Sequence, residues 1–159
     1  MSYRIGRGEQ GVLTFEPYKS MLLPHWRFKS EAIAHQSSRT LHSAFTFYVS
    51  AGDFVGADMA RKFVQMGMTR AKRYANHKGG RKYDRGPGER VELPRSEGHE
   101  GLEEKLAASE VFKEVWRRCT GDEGYVRLKG EFVKELKEWD RLAKKEVKEE
   151  VKVEERDAG

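Results

Sequence analysis

The chain has 159 residues, 37% hydrophobic and 36% charged, with 31 Lys/Arg against 26 Asp/Glu. That length suits a single core, and so much charge implies that part of the chain is solvated helix or tail. The lone cysteine, Cys119, excludes an intramolecular disulfide and a multi-cysteine zinc site. No apolar run approaches the roughly 20 residues of a membrane span, so the expectation is a soluble cytoplasmic protein.

The first element to judge is "IGRGEQGVLTF", in which Gly6, Gly8 and Gly11 fit the letter pattern G-x-G-x-x-G. A dinucleotide-binding turn needs a buried strand before the first glycine and a helix after the last. Only the short, polar "MSYRI" precedes Gly6, and "VLTFEPY" after Gly11 is β-prone until Pro17 stops it. A hairpin loop therefore fits better than a Rossmann turn. Its backbone N–H groups beside Arg7 have the makings of a small anion nest.

Between Pro17 and Pro24 the chain reads as irregular to extended. "HWRFK" alternates, with Trp26 and Phe28 on one side and His25, Arg27 and Lys29 on the other. Ser30 and Glu31 open a helix to about Ala51, with Ile33, Leu41, Ala44, Phe45 and Tyr48 as its buried face; Gly52 ends it and Asp53 caps the next. That next helix, up to the stop at Gly79-Gly80, carries an apolar band of Phe54, Val55, Met59, Phe63 and Met66. A stripe of Gly56, Ala60, Gly67, Ala71 and Ala75 invites close approach of another backbone. Arg61, Lys62, Gln65, Arg70, Lys72, Arg73, Asn76 and His77 fall on the remaining, surface side.

Residues 84–101, with four glycines and two prolines, read as a flexible loop. Helices follow over about 102–119, burying Leu102, Leu106, Val111, Phe112, Val115 and Trp116, and about 122–146, burying Tyr125, Leu128, Phe132, Leu136, Trp139 and Leu142. The fold expected is mainly α: about four helices around one core, preceded by a short N-terminal β-hairpin and an extended arm. Residues 1–146 would form a single domain, and 147–159 a charged tail, disordered or a solvated helical extension.

Three blocks together resemble the family catalogued as domain of unknown function 4385. They are "YRIGRGEQGVLTFEPYKS" with "LPHWRFK", then "GDFVGADMARKFVQMG", then "TRAKRYANHKGGRKYD". The resemblance is close over residues 3–84 and looser beyond. It implies no activity and transfers no catalytic residue.

Function must be read from charge and chemistry. Residues 1–95 hold 17 Lys/Arg against 8 Asp/Glu, whereas residues 96–159 hold 14 against 18. Between Arg70 and Arg85 there are seven basic residues and one acid, more positive charge than compensation of a helix dipole asks for. Lys and Arg neutralise phosphates, aromatic rings stack on bases and Asn reads base edges. The expected binder of nucleic acid or another phosphate-bearing anion would use Arg7, Arg27, Lys29, Arg70, Arg73, Tyr74, Asn76, His77, Lys78, Arg81 and Lys82.

An alternative is an enzyme acting on a phosphorylated or carboxylated small molecule. There Arg7, Arg27 and Arg73 grip the anion, His25 or His77 moves protons and Glu9 orients one. A third is a protein partner on the acidic C-terminal half. No metal is expected: there is no H-E-x-x-H, and His35 and His42 stand seven apart. No motif asks for a cofactor, and the basic helix has no broad apolar face for a membrane surface.

Overall fold

The computed structural model describes residues 3–159 and is helical, with α1 Tyr18–Leu22, α2 Glu31–Ser50, α3 Phe54–Asn76, α4 Leu102–Gly121 and α5 Glu123–Asp157. Short 3-10 turns occupy Leu23–His25 and Lys78–Gly80. Helices α2, α3 and α4 pack against one another as the body, and α5 adds its first turns. The caps follow local chemistry. Ser30 Oγ accepts the Ile33 N–H at 3.3 Å, Asp53 Oδ1 accepts that of Gly56 at 3.0 Å, and Asp122 Oδ1 accepts that of Tyr125 at 2.9 Å. Gly52, at φ 71°, lets the Asp53 N–H reach back to the Tyr48 carbonyl at 2.9 Å and closes α2.

The expected N-terminal hairpin is absent: no strand is present among the described residues, and Met1 and Ser2 of its first strand lie outside them. The glycine segment instead runs as successive reverse turns. Gln10 N–H donates to the Arg7 carbonyl at 3.1 Å, Val12 to Glu9 at 3.2 Å and Thr14 to Gly11 at 3.2 Å, with Gly8 and Gly11 at positive φ. These turns satisfy the backbone locally and bury Val12 while leaving Leu13 outside, so no strand partner is required. The segment after Pro17, expected to be irregular, forms the fifth helix, α1. The Glu16 carboxylate nucleates it, accepting from both the N–H and the hydroxyl of Ser20 and pairing with Lys19 at 3.0 Å. Tyr18 then donates its hydroxyl to Asp53 Oδ2 at 2.6 Å, tying α1 to the start of α3.

Phe45, Phe63 and Phe112 are fully buried between α2, α3 and α4, each a gain of about 1.5–3 kcal/mol over leaving it in water. The small-residue stripe of α3 receives rings rather than a backbone. Gly56 lies under the Tyr48 ring, and a Cβ on Gly67 would stand 2.6 Å from the Phe112 ring. Farther along, two expectations fail for one geometric reason. Trp139 and Leu142, read as core, are 45% and 46% exposed, because α5 outruns the shorter helices that would cover them. Its last tie to the body is Arg4, which donates to both oxygens of Asp140 at 3.0 Å and lies over Trp139. Leu106 is also exposed, toward the N-terminal end of α4. Among the described residues no helix is long and apolar enough to cross a membrane.

Arg61 and Lys62, expected on the surface, are buried, and so is Asp58 between them and the core. Asp58 Oδ1 accepts from Arg61 Nε at 2.9 Å and from the Tyr125 hydroxyl at 2.7 Å. Its Oδ2 accepts from the Tyr3 hydroxyl and lies 3.7 Å from Lys62 Nζ. The spacing explains the arrangement: residues 58, 61 and 62 share one helix face, so a buried acid draws both cations inward. Burial raises the Asp58 carboxyl pKa, but Arg61, the two tyrosine hydroxyls and Lys62 outweigh it and hold the group below its usual range. Burial, with the Asp58 charge behind it, drives the Tyr3 and Tyr125 hydroxyls well above theirs, so both stay donors.

Three substitutions test this packing. Gly67→Ala should lose about 1–3 kcal/mol in denaturant unfolding through overpacking against Phe112. Gly130→Ala, on an exposed face of α5 with open space around it, should gain up to about 1 kcal/mol of helix propensity. Asp58→Asn should cost about 3–5 kcal/mol by leaving two buried cations uncompensated. Because the folded Asp58 pKa is depressed, its contribution is full above the unfolded value near about pH 3.9. It is lost as pH falls through the lower folded value, so wild type and Asp58→Asn should converge in stability under acid.

Candidate anion-binding site

The arm "HWRFK" crosses the body where three helices can hold it. Ser37 of α2 is buried and donates to the His25 carbonyl at 2.6 Å while accepting the Arg27 N–H at 2.9 Å. Lys105 of α4 donates to the Phe28 carbonyl at 3.3 Å and the Lys29 carbonyl at 2.8 Å. Phe28 packs on Tyr74 of α3 with ring centroids 5.6 Å apart, and Trp26 packs on Phe28 at 5.1 Å. With these anchors Trp26 and Phe28 turn inward, while His25, Arg27 and Lys29 face solvent.

The result is a recess of about 370 Å³ lined by Arg27, Phe28, Lys29, Ile33, Tyr74 and Lys105. No carboxylate lines it, and Arg27, Lys29 and Lys105 make no ion pair among the described residues. The Lys105 ammonium lies 5.2 Å from the Phe28 ring centroid and 5.7 Å from that of Tyr74. Burial pulls the Lys105 pKa down, the Lys29 charge adds to this, and Glu104 opposes both. A bound anion would relieve that repulsion. Arg27 and Ile33 also border a smaller recess of about 150 Å³ with His25, Gln36 and Thr40, so Arg27 sits between the two.

Of the residues expected in the site, Arg27, Lys29 and Tyr74 come together. Others lie where the chain also engages itself. Arg73 Nε donates to the Gly80 carbonyl at 2.7 Å, and through their backbones alone Asn76 accepts the Ser96 N–H at 2.8 Å and Lys78 donates to Ser96 Oγ at 3.0 Å. His77, expected on the surface, is instead buried where residues 78–96 fold back over the end of α3, with Nε2 3.9 Å from a Glu92 carboxylate oxygen. Arg81 lies 3.8 Å from Asp84, and Lys82 lies over the Tyr83 ring. The basic run therefore serves partly to fold residues 78–96 onto the end of α3, where Tyr83 and Glu92 form an antiparallel bridge. Arg70 is half-buried on α3, outside the residues that line this recess.

The glycine loop packs farther up α3. Gly8 offers its carbonyl to Arg61 at 3.0 Å, and Glu9 accepts the Thr69 hydroxyl at 2.7 Å, which leaves Arg7 exposed. Of the set the enzyme alternative asks for, His25 and Arg27 share a recess, whereas Arg7 and His77 line neither of the two. Lys105 was not foreseen. In "LEEKLAASE" it reads as one base in an acidic first turn, and nothing in that stretch points to the arm more than seventy positions earlier. Among the described residues no three His, Cys, Asp or Glu side chains gather as a metal site.

These features define a helical protein with a cationic, ring-lined recess between an extended arm and two helices. A model of the family described as domain of unknown function (DUF4385) matches residues 1–135, and the chain belongs to that family. The matched span includes every hydrophobic side chain buried in the described core, the last being Phe132. No curated protein and no solved structure matches the chain.

The anchoring role of Lys105 has a direct check. Lys105→Met should raise amide hydrogen exchange of residues 26–30 while leaving exchange across α3 unchanged, because the arm loses its α4 tether and the body does not.

Proposed function

We propose that the protein binds nucleic acid, or a phosphate-bearing anion of the same chemistry, in the recess formed by Arg27, Phe28, Lys29, Tyr74 and Lys105. One observation carries the reading: three cations and two aromatic rings converge there with no carboxylate among the lining residues. Phosphate oxygens would meet Arg27, Lys29 and Lys105, and an unstacked base would lie against Phe28 or Tyr74. An unpaired strand suits this arrangement, since a duplex keeps its base faces stacked. The smaller recess across Arg27, bordered by His25, Gln36 and Thr40, gives a strand room to continue.

Fluorescence anisotropy with a labelled single-stranded oligonucleotide tests the reading. Three neutralised phosphates give a log–log salt slope near about −2, so affinity should drop roughly tenfold or more between about 50 and about 200 mM salt. Arg27→Ala with Lys29→Ala should flatten that slope, and Tyr74→Ala should cost about 1–3 kcal/mol at every salt concentration. Absence of any binding at low salt, or variants that bind like the parent, would remove the proposal.

A further inference from the structure

A second recess, of about 410 Å³, lies under the glycine loop, bounded by Gly6 and Gly8 of the loop and by residues of α3, α4 and α5. Its size falls within the roughly 300–1,000 Å³ of small-molecule sites. It shares no lining residue with the cationic recess. Ile5, Trp116 and Val126 supply apolar wall, and Arg61, Gln65 and Lys129 supply donors; no Asp or Glu lines it.

The donors exceed the acceptors. Arg61 is 7% exposed, and its Nη1 is committed to the Gly8 carbonyl at 3.0 Å and Gln65 Oε1 at 2.7 Å. Its Nε and Nη2 share the single oxygen Asp58 Oδ1, each at 2.9 Å, and the Tyr125 hydroxyl lies within reach of the same guanidinium. The Gln65 amide nitrogen has no acceptor among the described residues, and the Trp116 indole N–H is buried without one. Lys129 lies at the rim, exposed and outside any ion pair among the described residues. Behind this wall the buried cluster sets two cations, Arg61 and Lys62, against one acid, Asp58. A nearly closed polar centre with an excess cation and spare donors is short of one negative charge.

We infer that this recess binds a small organic monoanion, a carboxylate on a flat apolar body. The carboxylate would meet Arg61, Gln65 and Lys129, and the body would lie against Trp116, Ile5 and Val126. A monoanion fits better than a doubly charged phosphate, because Asp58 already takes much of the Arg61 field. Gly8 matters to the architecture: at φ +62°, with the Gln65 amide nitrogen 3.3 Å from where a Cβ would stand, it lets the loop close over α3.

The test uses the full chain, 2-naphthoate as probe, and proton–nitrogen correlation spectra reading the Trp116 indole and Gln65 amide signals. Saturable shifts of both are expected, with a dissociation constant below about 1 mM. The uncharged 2-naphthamide should bind about tenfold more weakly, and Lys129→Gln should weaken naphthoate about 3–10-fold. Val126→Glu, at an exposed wall position that leaves the core intact, should abolish binding, whereas Lys105→Ala, in the other recess, should not change it. The inference is overturned by absence of saturable shifts, by naphthamide binding as tightly as naphthoate, or by Lys129→Gln and Val126→Glu variants that bind like the parent. Displacement of naphthoate by equimolar inorganic phosphate would also overturn it, since the site would then prefer phosphate.

Discussion

A carboxylate removed from water must be met by hydrogen bonds and positive charge or it forces the surrounding fold open. Asp58 is such a group, and its partners come from well-separated parts of the chain: Tyr3 from the N-terminal segment, Arg61 and Lys62 from its own helix, Tyr125 from α5. Meeting that one charge fixes the N-terminal segment against α3 and brings the first turn of α5 onto the same point. Arg61, once drawn inward, extends the network to Gly8 and Gln65 and so holds the glycine loop. A buried ion cluster of this kind adds little net stability over apolar packing, yet it admits few alternative arrangements.

That geometry separates two concavities with different characters. The arm recess is bordered by three cations and two rings, the groups that the proposed polymer would meet with its phosphates and bases in turn. The loop recess is walled by rigid groups already tied to the core, which suits a small ligand of defined charge. The chemistry of the second follows from a surplus the fold itself creates: two buried cations answer one acid, and the Gln65 amide nitrogen and Lys129 ammonium at its wall have no acceptor among the described residues. The exposed length of α5 belongs to neither. It leaves the body beyond the Arg4–Asp140 pair, and its later turns carry charges of both signs in solvent.

The basic stretch after Thr69 shows that charge counted along a chain is partly engaged within it. Its charge count is real, but Arg73 closes the turn at Gly80, Arg81 faces Asp84, and Asn76 and Lys78 hold Ser96 through their backbones. Around Tyr74, Phe28, Lys29 and Lys105 arrive from elsewhere in the chain. The small-residue stripe of α3 misleads in a parallel way. Glycine at 56 and 67 does signal close approach, but rings of Tyr48 and Phe112, not a second backbone, fill the gap.

Helices announce themselves through interactions spanning three or four residues, which is why the caps at Ser30 and Asp53, the break at Gly52 and the apolar faces of α2 and α3 could be read along the chain. The alternation of "HWRFK" and the rejection of a dinucleotide turn rest on equally local reasoning. The inward turn of Arg61 and Lys62 could not be read that way, since an i,i+3 or i,i+4 pair looks the same on a surface as in a core. Neither could the packing of the glycine turns on α3, the exposure of Trp139, nor the arrival of Lys105 at the arm. Each depends on which helix lies beside which, and that is settled by burying side chains distant in sequence, a term no local pattern contains.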